Sequence, residues 1–159
     1  MFLQAKDTIS GQEATAYATI NGEVEEMFYA KKFEAKLKKN KKEMRTLGKR
    51  GTQNKANGFT GTGSMTIYSV TSKFREIMLD YTKNGIDTYF DIQVSNMDPS
   101  SSIGKQTTVV KNVNIDELTI AAFDVDSEAL EEEVTFTFDD WDLQDKFTAL
   151  KAPTNQGGN

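Results

Sequence analysis

Apolar residues in this chain recur at every second position in one stretch after another, and at helical spacing in only one stretch. A period of two marks a strand with one buried face, and a period near 3.6 marks a helix with one buried stripe. The chain therefore reads as mainly β, an antiparallel β-sandwich or open barrel with one flanking α-helix packed on it.

The strand signals differ in kind. Residues 14–29 read as a hairpin, because two β-prone runs flank Asn21-Gly22, a pair that accepts the positive φ values of a type I′ turn. In residues 32–38, Phe33, Ala35 and Leu37 alternate with Glu34, Lys36 and Lys38. Residues 64–70 and 89–94 alternate in the same way, and Val134, Phe136 and Phe138 alternate with Thr135 and Thr137. Residues 107–115 and 118–125 read as two further strands. Phe74, Ile77, Met78 and Tyr81 fall at i, i+3, i+4 and i+7, after the capping hydroxyls of Thr71-Ser72 and before Gly85, which stops the helix. Residues 48–61 are rich in Gly, Asn, Thr and Lys and read as a long mobile loop that orders on binding. Residues 96–106 read as a loop containing Pro99. One domain is expected over residues 1–150, with a disordered tail over 151–159.

Composition removes several classes of function. The chain has no histidine and no cysteine, so the commonest general base, the commonest metal ligand and any disulfide are missing. No apolar run is long enough to span a bilayer, and the start Met1-Phe2-Leu3-Gln4-Ala5-Lys6-Asp7 has no basic region followed by an apolar stretch. The expectation is synthesis in the cytoplasm and no membrane partner.

Charge is segregated. Residues 31–55 carry eleven Lys or Arg against Glu34 and Glu43, whereas residues 116–145 carry twelve Asp or Glu and no base. The two segments can face each other within one subunit, stay solvated, or dock between copies. The docking reading names Lys38, Lys39, Lys41, Lys49, Arg50 and Lys55 on one side of a subunit interface. On the other it names Glu128, Glu131, Glu132, Glu133, Asp139 and Asp140.

Chemical motifs are weak by comparison. Asp124, Asp126 and Glu128 are spaced like the first ligands of a calcium loop, but Ala129 stands where the turn glycine belongs and Thr135 where the bidentate Glu belongs. Gly58, Gly61 and Gly63 lack the Lys-Ser/Thr end of a phosphate loop and read as turn glycines. Asp139 and Asp140 are adjacent in a strand and point to opposite faces, which disfavours joint acid-base work. Trp141 reads as a core or interface anchor, with ligand stacking as the rival. No catalytic, cofactor-binding or metal residue is assigned.

Several stretches stand out together: Thr8-Ile9-Ser10-Gly11, Phe33-Glu34-Ala35, Lys39-Asn40-Lys41, Gly61-Thr62-Gly63, and Tyr68-Ser69-Val70-Thr71-Ser72-Lys73-Phe74 with Asp80-Tyr81 and Lys83-Asn84-Gly85. The longest is Val125-Asp126-Ser127-Glu128-Ala129-Leu130-Glu131-Glu132-Glu133, continuing to Phe136-Thr137-Phe138-Asp139-Asp140-Trp141. Together they resemble the core tail-tube family of contractile bacteriophages and PBSX-like defective prophages of Gram-positive bacteria. The resemblance implies a non-enzymatic subunit, without cofactor, of hexameric rings stacked into a tube inside a contractile sheath. It also implies sheath and initiator or baseplate proteins as partners, and DNA as transiting cargo. The implied location is a phage tail or phage-like particle. A DNA-free injection device is a related reading. The alternative from another class is a monomeric β-sandwich binding module for nucleic acid or carbohydrate, using the basic segment or Trp141.

Overall fold

The computed structural model describes residues 3–27 and 29–149. After two short 3-10 turns the order is β1 (Ala14–Ile20), β2 (Glu23–Glu26), β3 (Ala30–Met44), β4 (Gln53–Tyr68), α1 (Lys73–Asn84), β5 (Phe90–Met97), β6 (Lys105–Leu118), β7 (Glu131–Phe138) and β8 (Asp140–Asp145). The expected tail at 151–159 lies outside the described residues.

The strands form one antiparallel sheet in the order β2-β1-β5-β6-β7-β4-β3, with β8 paired to β6 off that path. The sheet folds over along β6. Its first part pairs with β5 and β8, whereas Asn114, Ile115 and Glu117 pair with β7. The crossover sits at Asn112, whose φ of 55° is uncommon for a residue with a side chain. Its backbone N–H donates to Asp91 Oδ1 (3.1 Å) and its side-chain amide donates to Asp139 Oδ1 (2.8 Å), at the step where β7 passes into β8. One core lies between the two halves. Ile92, Val110 and Val113 come from one side and Met65, Ile67, Val134 and Phe136 from the other, all nearly inaccessible.

The hairpin forms as expected, with Asn21 at φ 52° and Gly22 at φ 81°. Helix α1 ends at Gly85, whose φ is 69° and whose N–H donates to Tyr81 O. Its start is capped by Thr71, whose hydroxyl accepts from Lys73 N, and not by the side chain of Ser72. Phe74 is buried against Phe90 at 6.1 Å, and Ile77 and Met78 are partly buried on the core. Tyr81 departs from the expected stripe. It is 54% exposed, at the rim of a surface cleft beside Asp87 and Asp116, because the last helical turn extends past the core.

Three sequence expectations are corrected. Residues 118–125 are not a strand: β6 runs unbroken to Leu118, and residues 119–130 follow as a loop. Alternation alone makes no strand where no neighbour is available to pair. Most of the expected mobile loop at 48–61 is strand, since residues 53–61 belong to β4 and pair with β3. Gly61 and Gly63 are therefore strand glycines. They lie directly opposite Phe138 and Phe136 on β7, so Gly61-Thr62-Gly63 and Phe136-Thr137-Phe138 are the two sides of one register. A methyl group at Gly61 would sit 2.5 Å from the Phe138 ring, and one at Gly63 would collide with Phe136 and with the carbonyl of Glu34. Only glycine leaves the strand surface low enough for the aromatic rings to lie across it. Phe33 of β3 then stacks on Phe136 at 5.6 Å.

Candidate assembly surface

Beyond Gly61, strand β4 has β3 on one side and β7 on the other; before it, only β3 remains. Residues 53–60 and their β3 partners thus leave the body as a two-stranded arm, roughly 26 Å long at about 3.3 Å per residue. Every residue from 35 to 60 is exposed. At the bulge between Lys39 and Lys41, the Asn40 amide donates to the Thr60 hydroxyl (3.3 Å), and Gly58 takes a φ of 91°. Further out, Lys42 lies directly opposite Lys55, a like-charge pair that weakens the arm by itself. A two-stranded hairpin without a covering layer is marginal in water, so this arm calls for a partner.

The charged residues named from the sequence are distributed as follows. Lys38, Lys39 and Lys41 lie on β3, Lys49 and Arg50 in the exposed tip at 45–52, and Lys55 on β4. Among the described residues none of these six forms an ion pair. On the acidic side Glu128 lies in the 119–130 loop, Glu131, Glu132 and Glu133 on β7, Asp139 at the strand junction and Asp140 on β8. Among the described residues the one ion pair joining the basic and acidic segments is at the root of the arm, where Lys31 Nζ and Glu131 Oε1 are 2.6 Å apart. The hydrogen bond to that carboxylate raises the Lys31 ammonium above the usual lysine value. Farther out, Lys36 pairs with Glu34 at 2.9 Å, and among the described residues the cations of residues 38–55 form no ion pair.

Glu132 does not belong with the exposed acids. It is 2% exposed, accepts a hydrogen bond from the Ser69 hydroxyl (2.8 Å) and is paired with the Arg75 guanidinium. Alternation along β7 turns Glu132 to the same side as Val134 and Phe136, where a lone carboxylate would be costly without its partners. Arg75 Nε also donates to Thr119 O (3.3 Å), so one side chain ties α1, β7 and the start of the 119–130 loop together. Sequence reading misses this contact because nothing in the spacing links Arg75 to Glu132.

The same loop carries apolar residues that sequence reading assigned to a strand. Ile120, Phe123 and Val125 are 71%, 88% and 77% exposed. Asp124 Oδ1 accepts from the backbone N–H of Asp126 (3.0 Å), so these two acids shape the loop turn; among the described residues no cluster of acids is grouped to hold a metal ion. Trp141 is half-exposed and lines a small cleft with Ala35, Leu37 and Phe138.

The chain matches a family model described as phage tail tube protein over residues 1–145. It is 47% identical over 148 residues to the phage-like element PBSX protein XkdM of Bacillus subtilis strain 168, covering 93% of this chain and 98% of that one. Among solved structures, the fold is similar to a chain of the anti-feeding prophage tube-terminating cap, with a TM-score of 0.68 at 14% identity, covering 91% of this chain and 95% of that one. It is also similar to a chain of an extracellular contractile injection system sheath-tube complex, with a TM-score of 0.65 at 14% identity, covering 88% and 93%.

Proposed function

The chain belongs to the phage tail tube protein family, and on that premise we propose that its copies close into hexameric rings that stack as the inner tube of a contractile phage tail or phage-like particle, a conduit for DNA. The role is structural, with no catalysis and no cofactor. The observation that carries this reading is the β3–β4 arm, which leaves the body with both faces exposed and, among the described residues, with no ion pair on the cations of residues 38–55. A segment built this way gains its second layer from a neighbour. Two different surfaces of one chain, one basic and one acidic, make a heterologous contact that closes as a ring or propagates as a filament, and a stacked tube uses both.

Among the described residues, the long edge of β3 and the short edge of β8 have no strand neighbour on their outer sides. Pairing such edges between copies satisfies their backbone groups, as closure of a barrel does. Sheath protein outside the tube and initiator or baseplate proteins at its end are the proposed partners, in keeping with the assemblies named for the similar folds. Assembly takes place in the bacterial cytoplasm.

Negative-stain electron microscopy of the concentrated protein tests the reading. Rings or tubes with a central channel are expected, and removal of residues 40–57 abolishes them while leaving a folded body. A protein that stays monomeric at high concentration, with its arm intact, overturns the reading.

A further inference from the structure

We propose that Asn57-Gly58, in the bulge of the β3–β4 arm, modifies itself: the Gly58 backbone nitrogen displaces ammonia from the Asn57 side chain. Conversion then marks subunits that wait unassembled, a consequence that rests on the tube reading above. The chain has three Asn-Gly pairs, in each of which a thermolabile amide is followed by the least hindered backbone nitrogen. Their settings differ. Asn84 donates its amide to Asp80 Oδ1 (2.8 Å) and Gly85 N donates to Tyr81 O (2.9 Å), so both reacting groups are engaged. Asn21 is held at φ 52° in a two-residue turn closed by the Ile20–Glu23 pair, and ring closure requires it to leave that turn. At the bulge, β4 sets Asn57 and Gly58 against the single Asn40 of β3, and neither has a register partner between the Lys41–Ala56 and Lys39–Phe59 pairs. Both are exposed. Among the described residues the Asn57 side chain has no hydrogen bond, and nothing lies within 4 Å of where a Cβ on Gly58 would stand.

The step balances with water alone. Solvent hydroxide takes the Gly58 N–H proton, and the lysines on β3 at either side of the bulge, Lys39 and Lys41, favour the negative charge that develops. The nitrogen bonds to Asn57 Cγ, the bond from Cγ to the amide nitrogen breaks, and that nitrogen leaves as ammonia with a proton from water. A succinimide ring remains. Water opens it at Cγ to give aspartate, or at the backbone carbonyl to give isoaspartate, whose main chain is longer by one carbon. Either product sets a carboxylate near Lys39 and Lys41, in a segment, residues 38–55, that has eight bases and Glu43 as its one acid. Isoaspartate also lengthens β4 at a place where its register with β3 already slips. The altered arm is less basic and differently spaced. A second layer from a neighbour pins the bulge and withholds the local opening that ring closure needs.

Trypsin separates the three pairs, since they lie between Lys6 and Lys31, Lys55 and Lys73, and Lys83 and Lys105. Dilute parent protein is held at mildly alkaline pH, and the peptides are read by mass spectrometry and by enzymatic methylation of isoaspartate. The peptide of residues 56–73 is expected to convert about tenfold faster than the other two. Asn57→Gln is expected to stay unconverted there, because the longer side chain closes the ring poorly. Assembled tubes are expected to convert about tenfold more slowly than free subunits, with isoaspartate enriched in the unassembled fraction after sedimentation. Equal conversion of the three peptides, or conversion led by Asn21 or Asn84, overturns the site, whatever micrographs show of the tube. Tubes that convert as fast as free subunits overturn the marking of unassembled copies. Fast conversion at Asn57 in a protein that never forms rings overturns the tube reading and leaves the site standing.

Discussion

Strand β4 has two halves of equal length and opposite fates. Residues 61–68 lie between two neighbours, turn Met65 and Ile67 into the core and take the Phe136 and Phe138 rings across their glycines. Residues 53–60 have one neighbour and bury nothing. The difference teaches that pairing and stability are separate properties. A backbone ladder can continue past the point where apolar burial stops, but the stabilisation resides where burial is.

The sharpest way to break this contrast is to substitute an aromatic residue in each half's setting. Phe136→Ala, at 1% exposure, should cost about 3 to 5 kcal/mol of unfolding free energy. Phe59→Ala on the arm, at 47% exposure, should stay within about 0.5 kcal/mol. Urea midpoints measure both. Equal costs would mean that the arm is as firmly packed as the body.

A second comparison asks whether the body is also held by polar contacts. Arg75→Ala should cost about 3 kcal/mol, because it strands a carboxylate that has almost no access to water. Glu132→Gln should cost about 1 kcal/mol, since Ser69 can still donate to the amide oxygen and the partly exposed Arg75 can turn to solvent. The reverse order would show that Arg75, and not Glu132, is the poorly solvated partner.

On the arm itself, Lys49→Glu combined with Arg50→Glu should change folding by less than about 0.5 kcal/mol and still slow assembly. Sedimentation reports assembly and circular dichroism reports folding. Added salt should slow the parent in the same direction, through screening of the encounter. In hydrogen exchange on dilute protein, amides of residues 53–60 should exchange far faster than those of Met65 and Ile67, then gain protection in tubes. Early protection of the arm in the single subunit would remove its claim on a partner.

The smallest expected effect lies in the loop that follows β5. Asp98 accepts hydrogen bonds from the Ser100 hydroxyl and from the Ser10 and Ser100 amides, and these hold its pKa below the ordinary 3.8. A lowered folded-state pKa stabilises above the unfolded value, and the contribution fades as pH falls through the folded value. The Ser10 amide resonance should therefore hold its position down to about pH 4 and move only below it, and Asp98→Asn should abolish the step. Movement centred above pH 4 would mean that the Ser10 segment is not fastened by this carboxylate.

Much of the body was legible because burial leaves a period. Phe90, Ile92 and Val94, or Val134, Phe136 and Phe138, declare a strand with one inward face, and Asn21-Gly22 declares the turn between β1 and β2. The arm was not legible, since a strand exposed on both faces has no apolar alternation to display. Residues 118–125 failed in the opposite sense: the run from Leu118 through Ile120 and Phe123 to Val125 is apolar enough for a strand, but β7 pairing ends at Leu118. The charge segregation pointed to an interface, yet it gave no means of telling inward-facing Glu132 from exposed Glu131 and Glu133. The glycine pair was legible as a motif and misread as flexibility, because its partner rings are supplied from far along the chain.

That distance bears on the order in which the subunit is made. β3 and β4 are consecutive and join as a hairpin, a local event of the microsecond class, whereas Gly63 waits for Phe136 about seventy residues later. During synthesis the arm can form while the strand that completes the body is still within the ribosome. The lysine row along the open edge of β3 guards that interval, since charged edges resist pairing with the wrong chain. The supply of assembly-competent subunits is then paced by the arrival of β7, and slow-folding variants should map to the glycine and phenylalanine register, with the arm sequence nearly free of them.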